Sequence, residues 1–194
     1  MIDTNFSVAI IVGSARINRE SHKVALYLEN VLRQQMIGVN VIDLMKTPLP
    51  IMDERYSFIE HTEPNILHIA EVLKKSDAVI LLSPEYTGTI SGVLKNAIDF
   101  YARLMSGKPI GVVTTSNGRL GGINASHQMQ HIILSMNAYP MPYKLLVSDI
   151  AKGFDEQGQP IREDIINNTQ RFANEFIPFA KAIVAMRLGN FTTA

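Results

Sequence analysis

The fold is predicted from residues 78–101, which read AVILLSPEYTGTISGVLKNAIDFY. Ala78–Leu82 is apolar without alternation, as in a strand buried on both faces of a parallel sheet, and we expect Ser83–Pro84 to end it. Gly88 allows a turn and Ser91 is a candidate helix N-cap. Four apolar side chains share one face of the following helix: Val93, Leu94, Ala97 and Ile98. A strand that feeds a helix in this way places free backbone N–H groups at the sheet edge where open α/β folds bind ligands.

A second motif, GSARINRES at residues 13–21, follows the apolar run Phe6–Val12. Its hydroxyl, amide and guanidinium groups lie at the start of a predicted helix, where N–H groups and the helix dipole favour an anion. Three side chains could donate hydrogen bonds to a phosphate and a fourth adds positive charge, namely Ser14, Asn18, Ser21 and Arg16. Taken alone, the motif is better interpreted as a solvated strand-to-helix turn. The chain contains neither G-x-x-x-x-G-K-[ST] nor G-x-G-x-x-G, the usual nucleotide-binding loops.

A third loop, SNGRLGGINA at residues 116–125, follows the apolar run Pro109–Thr115. It contains three glycines within five residues, which would let the backbone approach a flat ligand closely. A glycine-rich connection between a strand and a helix is common, however, so this loop alone indicates little.

The segment PEYTGTISGVLKNAIDF, residues 84–100, resembles the signature of the NADPH-dependent FMN reductases. These are flavodoxin-like enzymes that include quinone, chromate and azo-dye reductases, and GSARINRES is similar to their FMN-phosphate loop. The chain differs from the signature at three positions: Thr87 replaces Asn, Ser91 replaces Pro and Phe100 replaces Trp. Thr87 leaves one flavin contact open, and the role of Arg19 is not determined by the match.

The resemblance implies non-covalent FMN, with hydride passing from NAD(P)H to the flavin and then to a quinone, azo, nitro or free-flavin acceptor. It assigns phosphate contacts to Ser14, Arg16 and Ser21, and Asn18 belongs to the same loop. The remaining predicted cofactor contacts come from the other two loops: Pro84, Glu85, Tyr86, Thr87, Gly88, Ser116, Asn117, Gly118 and Arg119. No catalytic acid or base is expected, because the cofactor carries out the chemistry.

Five predicted strands alternate with helices along all 194 residues, the last two of them being Pro109–Thr115 and Lys144–Val147. This pattern predicts an α/β, doubly wound, flavodoxin-like domain over 1–194, with a parallel sheet in the order 2-1-3-4-5. The three loops would then converge at one sheet edge. We also expect Pro178 to kink or split the last helix.

The composition narrows the classes of partner. There are 18 basic and 18 acidic residues, so we expect neither nucleic acid nor anionic membrane as a partner. The absence of cysteine excludes disulfides and thiolate chemistry. Asp3 precedes only a short apolar run, unlike the basic start and long apolar core of a signal peptide, and no apolar run is long enough for a membrane helix. We therefore expect a soluble, cytoplasmic protein. His127 and His131 lie one helical turn apart, but a zinc site needs more ligands, and we predict no metal.

The segment HIILSMNAYPMPYKLLV, residues 131–147, is more apolar than one buried helix face requires. Core packing is the default interpretation of Met129, Met136, Tyr139 and Met141, and a subunit interface is the alternative. With the long Met45–Pro64 loop, it predicts a homodimer or homotetramer.

Two other functions remain open at this level: a flavodoxin-like one-electron carrier and a non-enzymatic flavin-binding sensor. The carrier is disfavoured because Arg16 and Arg19 and a net charge of zero contrast with the hydroxyl-rich loop and acidic surface of flavodoxins. The residues determine neither the acceptor nor the choice between NADPH and NADH.

Overall fold

The structure, a computed structural model, describes residues 6–58, 60 and 63–189. Asp3 and three residues of the predicted Met45–Pro64 loop lie outside these ranges. The strands are β1 Ser7–Val12, β2 Gly38–Asp43, β3 Ala78–Tyr86, β4 Thr89–Ile90, β5 Pro109–Thr115, β6 Tyr139–Pro140 and β7 Leu145–Val147. The helices are α1 Ser21–Gln34, α2 Pro64–Lys75, α3 Gly92–Met105, α4 Ile123–Ser135 and α5 Glu163–Arg187, with a 3-10 turn at Ile150–Lys152.

The strands form one sheet in the order β2-β1-β3-β5, with β6 and β7 both pairing with the outer side of β5. All of these pairs are parallel, and Val8 aligns with Val39 on one side and with Ala78 on the other. The predicted order 2-1-3-4-5 is therefore confirmed, since the predicted fourth and fifth strands are β5 and β7. Pro140 is the last residue of β6 and Pro142 lies in the bend between β6 and β7, and their missing N–H groups explain why the edge strand is divided in two.

Two predictions about element ends and faces were wrong, and for Pro178 one of the two predicted outcomes, a split of the helix, does not occur. Ser83–Pro84 does not end β3, because both residues pair with Thr114–Thr115 of β5 and the strand continues to Tyr86. Pro178 does not split the last helix, and α5 passes through it without interruption. Val93 does not share the buried face of α3, because it is 38% exposed.

The core has two parts, one on each face of the sheet. Side chains of α1 and α5 pack on one face, and those of α2, α3 and α4 pack on the other. Phe172 and Phe176 of α5 stack with ring centroids 5.7 Å apart, and burial of each ring stabilises the fold by about 1.5–3 kcal/mol. Large apolar side chains on both faces explain why the central strands carry no polar alternation.

Three of the four residues considered for a subunit interface belong to this core. Met129, Met136 and Met141 are buried within the chain, whereas Tyr139 is exposed at the surface. The default interpretation, core packing, is therefore correct for the methionines. Among the described helices, none is both long enough and apolar enough to cross a membrane.

Candidate active site

The first loop is joined to β3 and α3 by short contacts around Gly13. The Gly13 N–H donates to the Leu82 carbonyl at 2.8 Å, and the Ser91 hydroxyl donates to the Gly13 carbonyl. A Cβ at position 13 would lie 2.5 Å from the Leu94 Cβ, so only glycine fits beneath α3. The Ser91 Oγ also accepts from the Leu94 N–H at 3.3 Å, which confirms the predicted N-cap.

Arg19 holds the shape of the first loop. Its guanidinium donates to the carbonyl of Ser14 and to both carboxylate oxygens of Asp43 at the end of β2. Burial raises the pKa of Asp43, but the Arg19 hydrogen bond and the Met45 N–H outweigh it, so the pKa lies below its ordinary value. The Arg19 side chain, only 8% exposed, is therefore paired with Asp43 and fixes the position of Ser14.

Two serines of the first loop differ in their hydrogen bonding. The Ser21 hydroxyl lies 2.8 Å from the Thr115 hydroxyl, so these two groups pair with each other at the base of the site. Ser14 is only 1% exposed, yet its Oγ has no hydrogen-bond partner among the described residues. An unpaired buried hydroxyl costs free energy, so Ser14 is a group for which a bound ligand would supply the missing partner.

The second loop is a two-residue turn between β3 and β4. Thr87 and Gly88 have φ values of 50° and 74°, so both central residues are left-handed, as a type I′ turn requires. The turn that Gly88 was predicted to allow is therefore present, with Gly88 in the left-handed conformation. Asn adopts this conformation more readily than the β-branched Thr87 does, which gives the departure from the family signature a structural consequence.

Glu85 connects the second loop to α4. Its Oε2 accepts from the Ala125 N–H at 3.0 Å, and its Oε1 accepts from the Asn124 side-chain amide at 3.2 Å. Both contacts lie in the first turn of α4, where a carboxylate is stabilised by unpaired N–H groups. The carboxylate of this predicted site residue is therefore already occupied as a helix cap.

In the third loop, the structure changes the role of the glycines. Gly118 does not have a positive φ. Gly121 and Gly122 do have it, and a Cβ on either would lie 2.9 Å from Leu146 or Thr114 respectively. These two glycines allow the loop to pack on β7 and β5, so they do not serve close approach to a ligand.

A fourth segment, at residues 149–151, completes this edge of the sheet. The Ile150 N–H donates to the Ser116 carbonyl at 3.2 Å, and the Ala151 N–H donates to the Asn117 side-chain oxygen at 3.3 Å. Sequence reasoning missed this segment, because it contains no motif and begins 24 residues after the end of the third loop, at 149 against 125.

These segments enclose a cavity of about 440 Å³ at the carboxyl edge of the sheet. All predicted site residues line it except Thr87, Gly88 and Arg119. Five residues that were not predicted also line it: Arg19, Glu20, Thr115, Ile150 and Ala151. At its mouth the Arg16 guanidinium lies 5.6 Å from the centroid of the Tyr86 ring, which joins the first two loops. The described residues contain no group of three or more metal-ligating side chains.

The cavity fits FMN in three respects. Its volume falls within the roughly 300–1,000 Å³ range of small-molecule sites. The N-terminus of α1 and the unpaired Ser14 hydroxyl offer hydrogen-bond donors to a phosphate at one end. Asn117 and Gly118 are exposed and line the cavity, and Gly118 has no side chain to obstruct the approach of a flat ring.

Residues 6–152 match the family model described as NADPH-dependent FMN reductase. A Pseudomonas putida protein named quinone reductase is 30% identical over 185 residues, which cover 91% of this chain and 95% of that one. A Staphylococcus aureus protein named FMN-dependent NADPH-azoreductase is 31% identical over 157 residues, which cover 75% and 80%.

Solved structures confirm the flavodoxin-like fold. The FerB flavoenzyme NAD(P)H:(acceptor) oxidoreductase from Paracoccus denitrificans has a TM-score of 0.78 at 24% identity, covering 91% of this chain and 98% of that one. A flavodoxin from Streptococcus pneumoniae has a TM-score of 0.60 at 15% identity, covering 89% and 99%. The family match over most of the chain confirms the resemblance that the two sequence motifs indicated. The chain therefore belongs to the NADPH-dependent FMN reductase family, as an oxidoreductase with FMN as its cofactor and NAD(P)H as its co-substrate.

Proposed function

We propose that the cavity binds FMN with the phosphate in the 13–21 loop and the ring beside Pro84–Tyr86 and Ser116–Gly118, and that the enzyme reduces quinones. The observation that carries the placement is the buried Ser14 hydroxyl without a partner, at the entrance to α1. A phosphate oxygen would accept from this hydroxyl and from the free N–H groups of the first turn.

The residues of the first loop divide the work of binding the phosphate. Arg19 neutralises Asp43 and fixes the Ser14 backbone, so its charge is not free for the ligand. Arg16 is exposed at the mouth and can add a charge-assisted bond. The Ser21 hydroxyl forms a hydrogen bond with the Thr115 hydroxyl at the base of the site. To contact the phosphate directly, as predicted, the Ser21 hydroxyl would have to bond to both Thr115 and the phosphate.

At the end of the cavity proposed for the flavin ring, the chain offers backbone groups to the cofactor rather than a catalytic acid or base. FMN, when bound, would supply hydride transfer from NAD(P)H to the acceptor, and the one further proton that a hydroquinone needs would come from solvent. The Glu85 carboxylate is engaged with α4, because its Oε2 accepts from the Ala125 N–H and its Oε1 accepts from the Asn124 side-chain amide. The role of the loops is therefore to bind and orient the cofactor.

The names of the relatives support a quinone as the acceptor. The Pseudomonas putida quinone reductase aligns over 95% of its length, more than the 80% of the Staphylococcus aureus azoreductase. Steady-state rates with quinone, azo, nitro and free-flavin acceptors, each with NADPH and NADH, test this proposal. A much higher kcat/KM for azo compounds than for quinones would overturn the choice of acceptor.

A flavin titration tests the placement of the phosphate. FMN should bind far more tightly than riboflavin, because only FMN supplies a partner for Ser14 and the N-terminus of α1. Equal dissociation constants for the two flavins would refute the assignment of the 13–21 loop.

Self-association is also part of the proposal. It is supported by exposed apolar side chains on the segment between β2 and α2, where Ile51 is 89% exposed and Phe58 is 51% exposed. Light scattering should give at least the mass of a dimer at micromolar concentration, and a monomer mass would contradict this.

A further inference from the structure

A second hollow lies beside the cofactor cavity and shares Tyr86 with it. It has a volume of about 450 Å³ and is formed by the β3–β4 turn, the start of α3 and one face of α4. Its principal lining residues are Tyr86, Thr87, Ile90, Lys95, Gln128 and Ile132. We call it the side hollow. Because Tyr86 lies in both linings, a ligand of sufficient length could occupy both spaces.

We infer that the side hollow binds the apolar ring or chain attached to the reducible group of an acceptor, while the reducible group itself lies in the cofactor cavity. This inference rests on the proposed function, and it assigns the preference for extended over compact acceptors to Gln128 and Ile132. Thr87, whose predicted cofactor contact is not supported by the cavity lining, lies in this hollow instead.

The apolar part of the lining favours such an arm. Ile90 is buried at the base, and Ile132 is half-buried on α4. Gln128 and Ile132 are four residues apart, so they lie on the same face of the helix, one turn apart. An aryl or alkyl group placed between Ile132 and Tyr86 would exchange contact with water for contact with two apolar surfaces.

The polar groups of the side hollow are suited to a neutral ligand. The Lys95 ammonium is held by both carboxylate oxygens of Asp99, at 2.7 and 2.6 Å, so its charge is compensated. The Thr89 hydroxyl donates to the Gln128 side-chain oxygen, which fixes the orientation of that amide. The Gln128 NH₂ group remains as a donor for a carbonyl or ether oxygen on the arm.

The experiment compares two quinones that differ only in their arm, methyl-1,4-benzoquinone and phenyl-1,4-benzoquinone, with FMN-loaded enzyme. The absence of cysteine removes the thiol addition that complicates work with quinones. The measured quantity is the ratio of kcat/KM for the phenyl compound to that for the methyl compound. Calorimetric titration of both quinones into the oxidised, FMN-loaded protein without NAD(P)H gives the corresponding ratio of affinities.

Two variants change the side hollow in opposite ways. Ile132→Ser removes apolar contact and Ile132→Trp fills the space, and each should lower the phenyl-to-methyl ratio by about tenfold, the scale of a lost apolar pocket contact. Ile166→Ser is the matched control, since Ile166 is an isoleucine of α5 that is 37% exposed and lines neither cavity.

The possible outcomes distinguish failure of this inference from failure of the proposed quinone reduction. If both quinones are reduced but neither ratio changes in Ile132→Trp, the side hollow does not hold the arm and the inference is overturned. An equal loss for both quinones, as expected if a second copy of the chain covers the hollow, also overturns it. If neither quinone is reduced but the ratio of affinities still falls in both variants, quinone reduction is wrong and the side hollow remains a ligand site.

Discussion

Replacing Ser14 by Ala should change the stability of the apoprotein and the affinity for FMN in opposite directions. The Ser14 hydroxyl is buried and has no partner within the described residues, so the folded apoprotein carries the cost of desolvating it. That cost is about 1–3 kcal/mol for a buried unsatisfied polar group, and Ala removes it without leaving a large cavity. For a chain of this size, each kcal/mol should raise the apoprotein Tm by about 2–4 °C.

The same substitution should weaken FMN binding. A hydrogen bond between a hydroxyl and a charged phosphate contributes about 1.5–3 kcal/mol, which corresponds to a roughly 10- to 150-fold increase in Kd. Riboflavin lacks the phosphate, so its Kd should not change. Quenching of flavin fluorescence gives both dissociation constants, and calorimetry on the apoprotein gives the Tm.

Ser76→Ala provides the matched control for this prediction. Ser76 is also buried, but its hydroxyl donates to the Val72 carbonyl at 2.8 Å, and it follows α2 at the opposite end of the sheet. This change should lower the apoprotein Tm and leave both flavin affinities unaltered. If Ser14→Ala also lowers the apoprotein Tm and leaves the FMN Kd unchanged, the Ser14 hydroxyl is satisfied without the phosphate and the reasoning is refuted.

Three further changes test other parts of the site. Asp43→Asn should lower the free energy of unfolding by about 1.5–3 kcal/mol at pH 7, because Arg19 loses its charged partner. Since the folded pKa of Asp43 lies below the unfolded value, this difference should shrink as the pH falls below about 4, and a pH-independent difference in urea unfolding would contradict it. Thr87→Asn should stabilise the left-handed turn by about 1 kcal/mol, and calorimetry showing a lower Tm would count against it. Glu85→Gln should cost about 0.5–2 kcal/mol by weakening the cap of α4, unlike the exposed control Glu156→Gln, and equal Tm values for the two variants would refute the cap.

The features that could be predicted from the sequence depend on neighbours along the chain. The buried strands follow from uninterrupted apolar runs, the start of α3 from Ser91, and the left-handed turn from Gly88. The convergence of the three loops was also predictable, because the carboxyl ends of parallel strands meet at one edge of the sheet. These are consequences of local backbone preference and of one topological rule.

The prediction that β3 ends at Ser83–Pro84 failed because local signals compete with pairing. Polar residues and proline usually mark the end of a strand, but β5 extends alongside β3 as far as Thr115 and continues the ladder. The β3–β4 turn then reverses the chain beyond Tyr86. The end of β3 is therefore set by its partners in the sheet.

The side-chain connections that shape the site could not be read from the amino-acid order. Ser21 meets Thr115 across 94 residues, Glu85 meets Ala125 across 40, and Arg19 meets Asp43 across 24. Each pair forms only when particular strands and helices lie side by side, and no local pattern specifies which polar group finds which partner. The sequence identifies the loops that meet at the sheet edge. The packed structure determines that Glu85 caps a helix, that Arg19 supports the first loop, and that the buried hydroxyl of Ser14, which lines the cavity, has no partner among the described residues. These outcomes depend on distances between groups remote in the chain, because those distances decide which hydrogen bonds can form.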